Sequence, residues 1–416
     1  MKLLVVTQYF WPETFGINRQ VHDLVAQGVD VTVLTGKPNY PSGTVYPNYT
    51  AWGTKFECFD GIKIYRVPLA PRGKASGVRL FLNYLSFVFF GLFCGPWLLR
   101  RQQFDAILVY APSPILQVIP AMFLSKLKRA PLAVWVQDLW PQSLSATGHV
   151  HNRSALWVVD RVVRWIYRST DLLLVQSRAF IETVSKQTRL GNAVRFLPNS
   201  AEQVAASLSD TSIPETEKLV AVMQKRFAVV FTGNVGSAQS MNTIVDAAVL
   251  CTSNTDICFF VVGAGSESDW LRHEIETRGL NNLVATGWLP SEDMPAVWAA
   301  SSILLVSLRD KPIFHQTIPN KLQCYLAAGK PIIACLGGEG ARVLVEAGAG
   351  LVCHPEDAQA LAASVKKLAA MPEAERIHFG SNGQKYFREH FDPKMLTSYL
   401  IEMLSEMIGD GDEIKN

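Results

Sequence analysis

Short apolar runs rich in β-branched residues alternate with segments of helical spacing along this chain, and the whole pattern occurs twice. In the first half residues 3–7, 29–35, 62–67, 106–110, 132–136, 172–176 and 194–197 read as strands, and residues 17–27 carry a helical period that stops at Gly28. In the second half residues 227–232, 257–262, 283–286, 303–306, 331–334 and 351–353 read as strands, with helices at about 241–251 and 270–278. Strands separated by helices require right-handed βαβ crossovers, and so a parallel sheet. The expectation is an α/β protein of two doubly wound parallel-sheet domains. Ligands of such sheets bind outside the carboxyl ends of the strands, here in a crevice between the domains. Pro198-Asn199-Ser200 closes the first block, and the polar stretch 201–218 reads as a connection. The predicted divisions are 1–200, 201–390, and a C-terminal helix and tail at 391–416.

At 416 residues the chain is too long for one ordinary core. Its 39 basic and 36 acidic residues are too balanced to suggest a nucleic-acid binder. Seven scattered cysteines with no C-x-x-C pair fit a reducing compartment and no structural zinc. The opening MKLLVVTQYFWPE is too short in its apolar run for a signal-peptide core, so it reads as the first strand of a cytosolic domain.

Residues 80–99, LFLNYLSFVFFGLFCGPWLL, are about as long as a membrane span requires. Arg72, Lys74, Arg79, Arg100 and Arg101 flank them. One reading is peripheral membrane contact through 72–101, the apolar face in the bilayer surface and the arginines on lipid phosphates. The other is a buried helix pair broken at Gly95-Pro96. A true span would pull apart the sheet whose strands lie on either side.

Several short segments could carry chemistry. Thr317 to Ala334, TIPNKLQCYLAAGKPIIA, reads as a loop feeding a helix, and a helix N-terminus favours an anion. Lys321 adds a mobile positive charge there. Gly233-Asn234-Val235-Gly236 and Gly263-Ala264-Gly265 each follow a strand, where glycine lets backbone approach a phosphate or simply makes a tight turn. Neither is a full dinucleotide fingerprint, and the P-loop pattern is absent. Gln137-Asp138 emerges at a strand end, where Asp138 could orient a substrate hydroxyl or cap the next helix. His149 and His151 have no metal-ligand partners nearby in sequence, and His22 reads as a surface group on a helix face. Asp410-Gly411-Asp412-Glu413 resembles a D-x-D motif but is expected to follow the last helix as a solvated tail. No metal site is inferred.

Taken together, TQYFWPETFGIN at 7–18, VTVLTGKPNYPSG at 31–43, WVQDLWPQSLSATG at 135–148, FLPNS at 196–200, FTGNVGSAQSMNTIVDAA at 231–248 and IPNKLQCYLAAGKPIIA at 318–334 resemble the family-4 glycosyltransferases of the GT-B type. Within that family the chain resembles the bacterial L-fucosamine (N-acetyl-fucosamine) transferases of O-antigen and capsule assembly. The resemblance implies two Rossmann-like domains, with the C-terminal helix returning toward the first. It also implies a UDP-sugar donor as substrate, no cofactor, a polyprenyl-diphosphate-linked acceptor, and a retaining, metal-independent transfer at the cytoplasmic face of the inner membrane. By the same resemblance Gly233, Asn234, Gly236, Asn320 and Lys321 lie against the donor diphosphate, and Gln239, Gly263, Gly265, Gln316 and Cys324 are placed among the substrate-binding residues. Gly16 in the first-domain loop closes over the same phosphates, and Asn18 is placed with it among the substrate-binding residues. Gly287 and Leu289 offer backbone groups to the base. Gln137 and Asp138 position the reacting groups, and Glu339 or Glu346 lies near the sugar or ribose.

The chain departs from the family pattern at the positions that usually carry its charges. Asn234 and Gln239 stand where an Arg and a Lys are usual, Gln316 and Cys324 where two glutamates are, and Gln137 where a histidine often is. Two other functions stay open on sequence alone. A UDP-sugar 2-epimerase shares the two-domain fold, and a non-catalytic binding subunit of a polysaccharide assembly complex would tolerate the lost charges.

Overall fold

The computed structural model describes residues 1–73, 77–146, 152–189, 193–201 and 213–413, with side chains omitted at 145, 146 and 410–413. His149 and His151, Lys74, and most of the expected connection at 201–218 lie outside the described residues. The chain forms two units: Met1–Asn199 with Pro393–Asn416, and Ser200–Asp392.

The first unit holds an eight-stranded sheet in the order β3-β4-β2-β1-β5-β6-β7-β8. Its strands are β1 (Lys2–Val6), β2 (Asp30–Thr35), β3 (Lys55–Phe59), β4 (Ile62–Arg66), β5 (Ala106–Ala111), β6 (Leu132–Val136), β7 (Leu172–Val175) and β8 (Ala193–Phe196). The centre is parallel, with Leu3 beside Val31 on one side and Ala106 on the other. Helices cover both faces of a parallel sheet, so its central strands are continuously apolar; all six residues of β5 are buried. One expectation fails at the edge. β3 runs antiparallel to β4, joined by a tight turn at Asp60-Gly61. Its alternate residues face solvent, so the strand lacks the unbroken apolar run that marks its neighbours.

The C-terminal helix Pro393–Glu413 belongs to this first unit. Leu396, Leu400 and Leu404 join Val21 and Leu24 of the Gly16–Ala26 helix in one core. The buried Gln20 amide donates to Thr397 Oγ1 at 2.9 Å. The backbone of this helix continues to Glu413, so the acidic run at 410–413 ends the helix rather than following it.

The apolar segment 80–99 is also corrected. It forms one helix, Gly77–Leu98, with Pro96 in its last turn, not a pair broken at Gly95-Pro96. Pro96 withholds only the N–H that would donate to the carbonyl four residues earlier, so the fault is confined to one rung of the ladder near the helix end. The helix buries a single stripe, Asn83, Phe87, Gly91 and Gly95, every fourth residue. A Cβ on Gly91 would lie 2.7 Å from Pro120, so the stripe seats closely on the Val118–Lys128 helix. Phe81, Phe89, Phe93 and Trp97 stay more than half exposed, and Phe123 and Leu127 extend the apolar surface onto the neighbouring helix.

The second unit is a six-stranded, wholly parallel sheet in the order β11-β10-β9-β12-β13-β14. Its strands are β9 (Phe227–Thr232), β10 (Ile257–Val262), β11 (Leu283–Gly287), β12 (Ile303–Ser307), β13 (Ile332–Cys335) and β14 (Gly350–Cys353). Strand order reverses between β9 and β12, so the loops leaving those two strands diverge and open a cleft at their carboxyl ends.

Candidate active site

The second unit gathers most of the expected residues at that point of reversal. β9 runs into Gly233, whose N–H donates to Val262 O of β10 at 2.9 Å. Gly263 follows β10 with φ +148°, and an added Cβ would lie 1.8 Å from Gly233 O. No other residue fits there, so the two loops press backbone against backbone. Val235 N then donates to Ala264 O at 3.1 Å, and Gly263 N to Gly287 O at 2.8 Å. Gly233, Gly236, Gly263, Gly265 and Gly287 thus form one continuous backbone surface. Asn234 is exposed on it. Gln239 folds back into the loop, its Oε1 accepting from Gly236 N at 3.2 Å and from Asn234 Nδ2 at 3.4 Å. Leu289 buries its side chain beside the exposed Trp288.

The helix Asn320–Ala328 is fixed to the end of β9 through Tyr325, whose hydroxyl accepts from Thr232 N at 2.8 Å. One turn earlier on the same face sits Lys321. Its Nζ lies 3.7 Å from the centre of the Phe231 ring and has no hydrogen-bond partner among the described residues. A Cβ on Gly233 would be 3.5 Å from that nitrogen. Burial lowers its pKa to about 7. The expectation of a mobile charge is therefore wrong: Phe231 and the Tyr325 anchor hold the amine beside the glycine surface. Gln316 has a buried, unpartnered Oε1. Asn320 is exposed at the helix start and Cys324 is half-buried. Glu339 and Glu346 differ more than the sequence suggests. Both pair with Arg342, but Glu339 is largely covered and Glu346 nearly half exposed. Gly338, beside Glu339, packs on His315 O, next to Gln316.

Arg309 is a residue that sequence reasoning missed. It leaves the end of β12, its N–H donates to Ala238 O at 2.9 Å, and its guanidinium is 3.8 Å from Glu267. Glu267 N in turn donates to Val235 O at 3.0 Å. The Arg309 Nε is buried without a hydrogen-bond partner among the described residues. Arg309 thus brings a cation to the glycine loop, whose own Asn234 and Gln239 are neutral. A basic residue just past a strand is visible in the sequence, but the place of that strand at the reversal point and the contact with Ala238 are not.

In the first unit Asp138 follows β6, and burial raises its pKa against a backbone hydrogen bond from Ser113. Gln137 is buried. Its Oε1 accepts from Asn199 Nδ2 at 2.8 Å, its backbone O accepts from Gln176 Nε2 at 3.1 Å, and its own Nε2 has no partner among the described residues. Gly16 starts the Gly16–Ala26 helix, where a Cβ would sit 3.7 Å from the Tyr110 hydroxyl. Asn18 is committed to the fold: its Oδ1 accepts from Trp11 N at 3.0 Å and its Nδ2 donates to Glu13 O at 2.6 Å. Glu13, also missed, is fully buried and accepts from Asn39 N and Tyr40 N at 2.8 Å each and from Phe10 N at 3.3 Å. Burial raises its pKa to about 7, and those three N–H groups oppose the rise.

Two families match, one for each unit. Residues 226–371 match the family described as "Glycosyl transferases group 1", and residues 15–200 the "Glycosyl transferase 4-like domain". The Escherichia coli (strain K12) protein WcaI, named for glycosyl transfer in colanic acid biosynthesis, is 24% identical over 90% of this chain and 93% of its own. Sucrose-phosphate synthase from Thermosynechococcus elongatus superposes with a TM-score of 0.75 at 14% identity, covering 99% of this chain and 100% of that one. Anabaena HepE, solved with UDP-glucose, superposes at 0.67 with 19% identity, covering 98% and 100%.

Proposed function

The chain is a glycosyltransferase of the GT-B fold, and from that premise we propose that it takes a UDP-sugar as donor. The donor sugar is an N-acetylated deoxysugar such as N-acetyl-fucosamine. The acceptor is a polyprenyl-diphosphate-linked saccharide in surface polysaccharide assembly, reached at the cytoplasmic face of the inner membrane. One observation carries the donor half: a buried, unpartnered Lys321 amine sits beside a backbone surface built of glycines. A buried amine without a partner is costly to keep, and a diphosphate supplies the missing acceptors. HepE was solved with UDP-glucose, and WcaI is named for colanic acid synthesis; both support this substrate class.

The chemistry follows from the charges. As the glycosidic C–O bond breaks, negative charge grows on the departing β-phosphate oxygen. Lys321 and Arg309 stabilise it across the close backbone approach that the glycines allow. The departing oxygen takes the proton of the attacking acceptor hydroxyl on the same face of the sugar, so configuration is retained and no enzyme nucleophile is required. Asp138 orients that hydroxyl as a hydrogen-bond acceptor, and Gln137 steadies the strand end. The exposed apolar side of the Gly77–Leu98 helix, with Arg100 beside it, supports peripheral seating in an anionic membrane surface.

The deciding experiment incubates purified protein and bacterial membranes with a panel of radiolabelled UDP-sugars. Label in the lipid fraction, α-configured by NMR when the donor is α-linked and insensitive to EDTA, is the expected result. Label retained only in an altered free nucleotide sugar would replace transfer by epimerisation.

A further inference from the structure

A recess of about 480 Å³ lies where the first turn of the Gly77–Leu98 helix meets two loops of the first unit. Gly43, Thr44 and Val45 form one wall, Ala70, Pro71 and Gly73 another, and Arg79 and Leu82 the third. The volume lies within the ~300–1,000 Å³ of small-molecule sites. Among the described residues its walls are apolar except for Thr44 and Arg79.

That cation is placed by the backbone. Gly73 N donates to Gly43 O at 2.8 Å, and a Cβ on Gly43 would fall 1.9 Å from Gly73 O. Gly73 adopts φ +58°, and a Cβ there would lie 2.2 Å from the Arg79 guanidinium. The glycine pair therefore clears the space into which Arg79 folds. On the other side of the same segment, Arg72 stacks 5.2 Å over the Tyr40 ring and 5.9 Å over Tyr9. Leu82 belongs at once to the recess and to the exposed apolar side of the helix that continues through Leu85 and Phe89.

A cation in an apolar recess that opens onto an apolar helix side suits an amphiphile with an acidic head and a hydrocarbon chain. We propose that this recess binds the phosphate and first isoprene units of a polyprenyl-phosphate lipid, Arg79 holding the phosphate and Leu82 and Val45 the chain. The inference rests on the lipid-linked acceptor reading above. It adds to that reading a specific site, distinct from the bulk membrane contact along Phe89, Phe93 and Trp97.

Titration of the full-length protein with farnesyl phosphate, farnesol and inorganic phosphate separates the alternatives. Farnesyl phosphate should bind at least ten-fold more tightly than either of its halves. Arg79→Ala and Leu82→Asp, both at exposed positions, should each weaken it at least five-fold without shifting the unfolding midpoint. Short-chain phosphatidylglycerol should compete poorly. Equal binding of farnesol, unchanged binding in both variants, or equal competition by phosphatidylglycerol would each overturn the proposal. The lipid-labelling assay keeps the two readings apart. If the wild type labels no lipid, the acceptor reading falls whatever farnesyl phosphate does. If wild type and both variants label lipid with the same KM for acceptor, only the recess falls.

Discussion

Glu13 and Lys321 are both ionisable side chains held against solvent just past the carboxyl end of a sheet, and burial moves both to a pKa near 7. Their surroundings are opposite. Glu13 accepts from three backbone N–H groups and ties the loop after β1 to the loop after β2. Lys321 has no hydrogen-bond partner among the described residues and lies on an aromatic face beside bare glycine backbone. A satisfied buried charge is scaffold. An unsatisfied one persists where the missing partner arrives with the ligand. The contrast therefore separates what folds the first unit from what the second unit is built to bind.

Lys321→Met breaks the comparison most sharply if it is wrong. Transfer should fall roughly 10²–10³-fold in kcat/KM, the usual cost of losing one preorganised donor to a developing oxyanion. The unfolding midpoint of the ligand-free protein should rise by a few degrees, because an unpartnered amine leaves an apolar site. Lost activity together with a lowered midpoint would make Lys321 scaffold. The reverse pattern is expected of Glu13→Ala. It strands the N–H groups of Phe10, Asn39 and Tyr40, which costs about 3 kcal/mol. Calorimetry should show the first unit melting earlier while UDP affinity of the second stays within about two-fold. A loss of UDP affinity as large as that from Lys321→Met would end the division of labour.

Arg309→Ala should weaken UDP binding about ten-fold, close to 1.4 kcal/mol, with little change in midpoint. This variant asks whether a cation from β12 stands in for those missing at Asn234 and Gln239. Unchanged UDP affinity by isothermal titration would mean that Arg309 does not stand in for them and serves only its ion pair with Glu267.

The strands of both sheets were legible because fully buried parallel strands are continuous apolar runs, and β5, β6, β9 and β10 begin and end within a residue of expectation. β3 was not, since an edge strand with one wet face has no such run. The glycine loops were legible as loops, but only the packing of Gly263 on Gly233 explains why glycine is obligatory there. Arg309 and Glu13 were invisible for a shared reason. Each takes its meaning from a contact with a distant segment, Ala238 in one case and Asn39 in the other, and no local pattern encodes either. The Gly77–Leu98 helix was ambiguous because its exposed side is more apolar than its buried stripe of Asn83, Phe87, Gly91 and Gly95, so hydrophobic periodicity pointed away from the side that is covered.

The smallest expected effect tests the unsatisfied amine directly. With its pKa at about 7, Lys321 is half charged at neutral pH in the ligand-free protein. The donor diphosphate binds the charged form, so kcat/KM for the donor should drop roughly five-fold between pH 7 and pH 8. The residual activity of Lys321→Met should show no such inflection. Stability should move the other way. Between about pH 7 and the ordinary lysine pKa of ~10.4, the unfolded chain holds this proton and the folded chain does not, so this group makes the ligand-free fold more stable as pH rises. Binding must then take up a proton near neutrality, which titration calorimetry in buffers of different ionisation enthalpy measures. A wild-type binding event with no proton uptake at pH 7.5 would mean that the diphosphate never reaches Lys321, and the contrast with Glu13 would lose its functional half.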